Sequence, residues 1–288
     1  KGKQNYNLAK REFEICRRMN IGFLRYDDPD YPALLKEILN PPYMIFYRGS
    51  TDAFKQRSVS VVGTRRITPD GKKAAHDFAL DAAKDGVAVV SGLANGVDGY
   101  AHKGAVDAFF DFAENDSDTS VLGKTIAVLP CAADDIVPGT HRKLAENILK
   151  SGGCLVSEYA PLTEFASWHF VKRNRIIAGL SPATVVIEAP NGSGALITAD
   201  FALELGRDVM FHEACFCQNA KMMKEAVKRD LEQKVRLGQK TKYKLETSPE
   251  RYVEDGAPVI KNYEDYCRCL AEMPGTRSEN NKEQLELF

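Results

Sequence analysis

Residues 58–92 read SVSVVGTRRITPDGKKAAHDFALDAAKDGVAVVSG, and this stretch decides the fold. It opens with a short apolar run that ends in Gly63. It continues through a segment whose Ala74, Phe78 and Ala82 recur at helical spacing, and Gly86 closes that segment. A second apolar run, VAVVSG, follows at once. Two continuous apolar runs joined by an amphipathic helix form a βαβ unit, because strands covered by helices on both faces need no polar alternation.

The rhythm continues outward. VDGYAHKGAVDAF (97–109) reads as a helix, GKTIAVLP (123–130) as a strand and THRKLAENILKSG (140–152) as a helix. GCLVSE (153–158), RNRIIAGLS (173–181), ATVVIEA (183–189), SGALITADFALELG (193–206) and RDVMFH (207–212) extend the alternation to six strands. This predicts an α/β protein: an extended Rossmann-like fold, a mostly parallel sheet with helices on both faces. Residues 1–50 read as a helical and irregular lead-in, helical around Leu8–Met19, with Pro41-Pro42 starting an extended piece. Residues 51–271 form the Rossmann-like domain, with an insertion near 218–247, and 272–288 read as a flexible tail. From Lys221 to Lys244 the insertion carries nine Lys/Arg against three Asp/Glu, which suits either a second nucleic-acid contact or a solvated helix face.

The bulk numbers narrow the class. The 288 residues are 44% hydrophobic and 27% charged, with net charge −1. No overall basic field advertises a polyanionic partner, so any such binding needs a local cluster. No apolar run is long enough to span a bilayer, and Lys1-Gly2-Lys3 opens without an apolar signal segment, so a cytoplasmic location is expected. Seven cysteines, an odd number in a large chain, argue for reduced thiols rather than a disulfide scaffold.

Ligands of open parallel sheets sit at the carboxyl ends of the strands, near the switch point. Four turns fall there: VGTRR (62–66), SGLANGVDGYAH (91–102), SEYAP (157–161) and EAPNGSGALIT (188–198). Gly63, Gly92, Gly192 and Gly194 are expected to let backbone amides approach a ligand, and amides at a helix N-terminus favour an anion. Arg65, Arg66, Lys172, Arg173 and Arg175 lie on the same rim, beside Trp168 and Phe170 in SWHFVKRNR. Cations interleaved with aromatic rings suit single-stranded nucleic acid, the cations tracking phosphates and a ring stacking on a base. Taken singly, each glycine could serve only a tight turn, each arginine an ion pair and Phe170 the core.

In order and spacing, VSVVGTRRITPDG, VAVVSGLANGVDGYAHKGA, GKTIAVLP, GGCLVSEYAP, FVKRNRIIAGLS and VVIEAPNGSGALITADFALELGR resemble the DprA/Smf DNA-processing family. YPALLKEILNPPYMIFYRG upstream and DGAPVIKNYEDYCRCL downstream are similar to that family's flanking pieces. The resemblance implies a cytoplasmic homodimer that is not an enzyme and needs no cofactor. Such a protein binds single-stranded DNA and loads RecA recombinase onto it during natural transformation or recombination. Carried over by motif, Gly63, Thr64 and Arg65 would hold a phosphate, with Arg66 and Gly92 beside them. Phe170 would pack on a base. Lys172, Arg173 and Asn174 would bind phosphate or a base edge, and Ser193, Gly194 and Thr198 would shape the pocket floor. Two departures stand out: MFHEACFCQNA replaces the expected turn after the sixth strand, and Pro130-Cys131 replaces a glycine-rich turn.

Other constellations carry less. Asp98 and His102 share a helical face and suit acid–base chemistry, but capping by Asp98 and local hydrogen bonding by His102 are favoured. Ser91, Ser157 and Ser193 have no base at a telling spacing, so no catalytic triad is expected. His212, Cys215, Cys217, Cys267 and Cys269 contain two C-x-C pairs, yet their spacing departs from common zinc knuckles and buried free thiols are expected. The end of the chain, Gln284, Leu285, Glu286, Leu287 and Phe288, resembles the short peptide that binds the bacterial sliding clamp. The main rival is a nucleotide-processing enzyme of the lysine-decarboxylase-like phosphoribohydrolase class, but PNGSGALIT lacks the PGGxGT-type loop of that class.

Overall fold

A computed structural model describes residues 2–239 and 241–272. The tail peptide Gln284–Phe288 lies outside the described residues. In chain order the elements are α1 (Gly2–Met19), β1 (Gly22–Arg25), α2 (Ala33–Lys36), β2 (Met44–Gly49), β3 (Ser58–Val62), α3 (Pro69–Lys84), β4 (Ala88–Ser91) and α4 (Val97–Glu114). Then come β5 (Thr125–Val128), α5 (Arg142–Lys150), β6 (Cys154–Ser157), α6 (His169–Gly179), β7 (Ala183–Val186), α7 (Gly194–Glu204) and β8 (Asp208–His212). The last are α8 (Gln218–Arg236), α9 (Lys242–Glu246), α10 (Pro249–Glu254), β9 (Val259–Ile260) and α11 (Tyr263–Glu272).

Among the described residues the strands form one sheet in the order β1-β2-β6-β5-β4-β3-β7-β8-β9. From β3 the chain builds outward through β4, β5 and β6, then returns to the other side of β3 with β7 and β8. The switch point therefore lies between β3 and β7, which pair in parallel through Ser60–Thr184 to Val62–Val186. The mostly parallel sheet expected from the sequence is present.

Every residue of β3 to β7 is buried, as continuous apolar runs require. Val62, Val90, Ile126 and Val128 pack under α6 and α7 with Leu35, Ile176, Ile177 and Leu196. Val59, Val61 and Val89 face the other way, onto Phe78 of α3, Ala101 of α4, and Tyr263 and Tyr266 of α11. Phe78 is 2% exposed, and truncating such a ring to Ala costs about 3–5 kcal/mol.

The two hydroxyls of β3 also fasten α6. Ser60 Oγ donates to the Ile177 carbonyl at 2.7 Å and Ser58 Oγ to the Leu180 carbonyl at 2.8 Å. These bonds tie the last turn of α6 to the sheet, the Ile177 carbonyl also accepting from the Leu180 amide at 3.3 Å.

The lead-in requires a correction. Residues 22–49 do not stand apart from the sheet. β1 and β2 pair antiparallel, and β2 pairs antiparallel with β6 through Phe46–Ser157 to Gly49–Cys154. The piece after Pro41-Pro42 is extended because it completes this edge. A four-residue strand such as GFLR offers too short a pattern for sequence periodicity to reveal.

Candidate functional site

The turn after β3 and the turn after β7 meet at the switch point. Thr64 donates its amide to the Glu188 carbonyl at 2.7 Å, and its own carbonyl accepts from Val97 at the start of α4 at 3.2 Å. The Thr64 hydroxyl accepts from the Arg66 amide at 3.1 Å, which bends the chain so that Arg65 and Arg66 emerge exposed. Beneath, the buried Glu188 carboxylate accepts from the amide and hydroxyl of Thr68, the residue that caps α3. Burial raises the Glu188 carboxyl above its usual range, with the Thr68 bonds opposing.

These turns border an open cavity of about 710 Å³. Gly63, Thr64, Arg65, Arg66, Phe170, Arg173, Asn174, Ser193, Gly194 and Thr198 all line it. The structure thus brings together ten of the twelve residues singled out in the sequence. The Arg65 guanidinium carbon stands 4.3 Å from the centroid of the half-buried Phe170 ring. A cation over an aromatic face is attractive and leaves the planar fork available for paired hydrogen bonds. Ser193 caps α7 by accepting from the Ala195 amide at 3.3 Å. Asn174 donates to the Gly194 carbonyl at 3.2 Å, fixing α6 against the α7 N-terminus.

Two residues leave this set. Lys172 does not line the cavity. It pairs with Glu158 at 3.3 Å and lies near the rings of Tyr159 and Trp168, because neighbouring helical positions point apart. Trp168 lies outside the cavity too, and Arg175 pairs with Glu158 at 2.5 Å. Gly92 is buried, and its carbonyl accepts from Arg173 at 3.0 Å.

Arg173 borders the cavity, but it is 4% exposed and spans from α6 to the turn after β4. Burial lowers its pKa to about 10, with the Asp98 carboxylate opposing, so it stays cationic at neutral pH. Burial pushes the Asp98 carboxyl up, against the pull of Arg173 and Arg65. Arg173 is therefore a charged strut under the cavity rather than a free fork for phosphate.

The glycines also differ from their expected role. A Cβ on Gly63 would lie 2.3 Å from Val97, one on Gly92 1.8 Å from the Arg173 guanidinium, and one on Gly192 2.6 Å from the Lys244 carbonyl. These three are glycine because protein atoms crowd them. At Gly194 a Cβ would meet nothing within 4 Å. Of the four, Gly194 alone opens toward a ligand.

The Asp98 and His102 pair is structural. Asp98 accepts from the Ala94 amide at 3.4 Å. His102 Nε2 accepts from the Leu93 amide at 3.2 Å, while Nδ1 lies 2.7 Å from the Thr125 hydroxyl, which itself donates to Val89. That network calls for the neutral tautomer protonated on Nδ1. His141 Nδ1 lies 2.9 Å from the Leu93 carbonyl. Leu93 has φ 55, a left-handed conformation that costs energy for a leucine, and the two histidines hold it there.

The cysteines are occupied locally. Cys215 is buried with its thiol 3.4 Å from the Ala189 amide, and the Cys217 sulfur accepts from the Ala220 amide to cap α8. Among the described residues no three His, Cys, Asp or Glu side chains form a metal-holding group. No described helix is long and apolar enough to cross a membrane.

The sequence marked 221–244 for its charge and missed the apolar face that α8 turns to the cavity. Met223, Val227, Asp230, Leu231 and Lys234 also border the cavity. Their spacing of three and four is visible in the sequence, but the charges between them mask the apolar stripe.

The sheet order and the arginine- and glycine-bordered cavity at its switch point define an α/β protein of the extended Rossmann-like class. Within that class the chain belongs to the DNA recombination-mediator protein A family, whose model matches residues 22–270. It is 37% identical to Protein Smf of Borreliella burgdorferi over 73% of this chain and 63% of that protein. It is 41% identical to Protein Smf of Synechocystis over 72% of this chain and 50% of that protein, and 35% identical to the DNA processing protein DprA of Bacillus subtilis over 72% and 65%. The chain thus spans half to two thirds of the length of these curated relatives.

Two solved structures agree on architecture. DNA processing protein A of Streptococcus pneumoniae superposes with TM-score 0.66 at 28% identity, over 88% of this chain and 74% of that one. The Helicobacter pylori protein, described as binding single-stranded DNA, superposes with TM-score 0.64 at 23% identity, over 87% and 95%. At that identity the second match establishes the shared fold alone.

Proposed function

We propose that this chain binds single-stranded DNA in the switch-point cavity and passes it to RecA recombinase during DNA uptake or recombination. The observation that carries the reading is the Arg65–Phe170 pair facing the same cavity as the capped, uncrowded N-terminus of α7. The arginine fork and the helix amides suit phosphate, and the ring suits a base. A duplex hides the faces of its bases, so this combination favours the unpaired strand. Membership of a recombination-mediator family supports transfer to a recombinase. The same proposal takes the protein as a cytoplasmic homodimer acting without catalysis, and assigns Gln284–Phe288 to the sliding clamp.

A gel shift comparing single- and double-stranded oligonucleotides tests the core of it. Wild type should retard the single strand preferentially, and Arg65→Ala should lose most of that. Equal binding to both forms, or release of free base from a nucleoside monophosphate, would overturn the reading in favour of a nucleotide-processing enzyme. Loading requires a separate measurement: RecA filament formation on strands precoated with a single-stranded-DNA-binding protein should speed up when this chain is added.

A further inference from the structure

Helix α8 lies in the segment that departs most from the expected pattern, and it is firmly seated. Cys217 caps its start. Lys224 is buried, pairs with Glu250 at 2.6 Å and stands 4.7 Å from the Phe216 ring centroid. The segment that follows is tied to the turn after β7: Asn191 donates to the Leu245 carbonyl at 2.9 Å, and the Gly192 amide to Thr247 at 3.0 Å.

One stripe of α8 faces the cavity: Met223, Ala226, Val227, Asp230, Leu231 and Lys234. Among the described residues of α8, the one basic group brought to the cavity is Lys234. Lys224 is consumed by Glu250, and Lys234 pairs with Asp230 at 2.6 Å. What α8 offers the cavity is aliphatic surface and a neutralised ion pair. Phosphate gains little from the aliphatic part of such a wall, and the one ammonium there, Lys234, is already paired with Asp230. A nucleobase gains apolar contact.

The geometry points to a division of labour: α8 is the base-contacting wall of the strand groove, with Met223 and Val227 as specificity-determining residues, while Arg65, Arg66 and the α7 N-terminus take the phosphates. This rests on the strand-binding reading above, and the test separates the two.

The probes are a labelled oligo-dT and an abasic oligomer of the same length and phosphate number, with affinity followed by fluorescence anisotropy over a salt series. Wild type should bind oligo-dT roughly tenfold tighter than the abasic strand. The double variant Met223→Ala/Val227→Ala should narrow that gap to roughly threefold, the remainder belonging to Phe170. Its abasic affinity and salt slope should not change, because no phosphate contact is lost. Met222→Ala, on the exposed face of the helix, should behave as wild type. If thermal melting shows the double variant unfolded, Val227→Thr keeps the shape and adds a hydroxyl, and it should narrow the gap in the same sense. A gap that stays at wild-type size in the folded variants overturns the α8 assignment alone, as does tighter binding of oligo-dT, which would make α8 an obstruction. Wild type that binds neither oligomer overturns the strand-binding reading and this one with it.

Discussion

The Arg65 guanidinium, carried by the turn after β3, rests 4.3 Å from the centre of the Phe170 ring on α6. The contact joins the element suited to phosphate with the one suited to a base.

Arg65→Ala should weaken binding of all unpaired sequences by a similar factor. The plot of log affinity against log salt should flatten by about 0.7 for one lost phosphate contact on a single strand. Arg65→Lys should keep the slope and recover only part of the affinity, since a lysine lacks the planar fork. A sequence-selective loss on titration by anisotropy would contradict this assignment.

The glycines divide into two groups by what surrounds them. Gly63→Ala places a methyl against Val97 and the Glu188 carbonyl, and should destabilise the fold by about 1–3 kcal/mol. Gly194→Ala places one in open space. It should melt within a few degrees of wild type yet bind strand less tightly. Urea unfolding and anisotropy on the same two preparations decide it. Equal stability of both variants would refute the crowding argument.

Lys172 and Arg173 are neighbours in sequence with opposite expected behaviour. Lys172→Ala should leave strand affinity within about twofold, because its partner is Glu158 outside the cavity. Arg173→Met should lower stability, because it removes the bond to the Gly92 carbonyl and the larger of the two positive charges acting on buried Asp98. Chemical denaturation reports the second, and a stable Arg173→Met protein that fails only in binding would make Arg173 a ligand group instead of a strut.

His102 makes stability depend on pH. Burial, with His141 and Arg173 nearby, pushes it down to about 3, while the unfolded chain protonates it near 6.5. The unfolded state therefore binds the extra proton below that point. The contribution of His102 is whole above the unfolded value and is lost as pH falls toward the folded one. Unfolding free energies from urea titrations at pH 7.5 and 5 should differ by about 2 kcal/mol more in wild type than in His102→Asn. An identical pH dependence in the two proteins would show that His102 takes up its proton as readily in the fold as in the unfolded chain.

Much of the fold is legible in the chain. The runs SVSVV, AVVS and ATVV announce buried parallel strands because no charged residue interrupts them and their few hydroxyls are small enough to be buried once bonded. The rim follows, since glycines and arginines at strand ends converge once the sheet is parallel. Three features are not legible. GFLR carries too few residues to show a period, so β1 is invisible and the sheet's antiparallel edge with it. Sequence gives no measure of burial for a charged side chain, so Arg173 under the cavity and Lys172 outside it look alike. Glycine tolerates close approach by a ligand or by the protein itself, and only the folded chain tells Gly194 from Gly63.

The seam from Val97 through Thr64 to Glu188 has a kinetic corollary. Backbone bonds of 3.2 and 2.7 Å lock the turns after β3 and β7 and the start of α4 into one rigid receptor. On the strand-binding proposal, such a receptor should spend little entropy on capture and need no slow rearrangement between encounter and grip. Stopped-flow association should then run as a single exponential whose rate climbs linearly with oligonucleotide concentration, without a plateau.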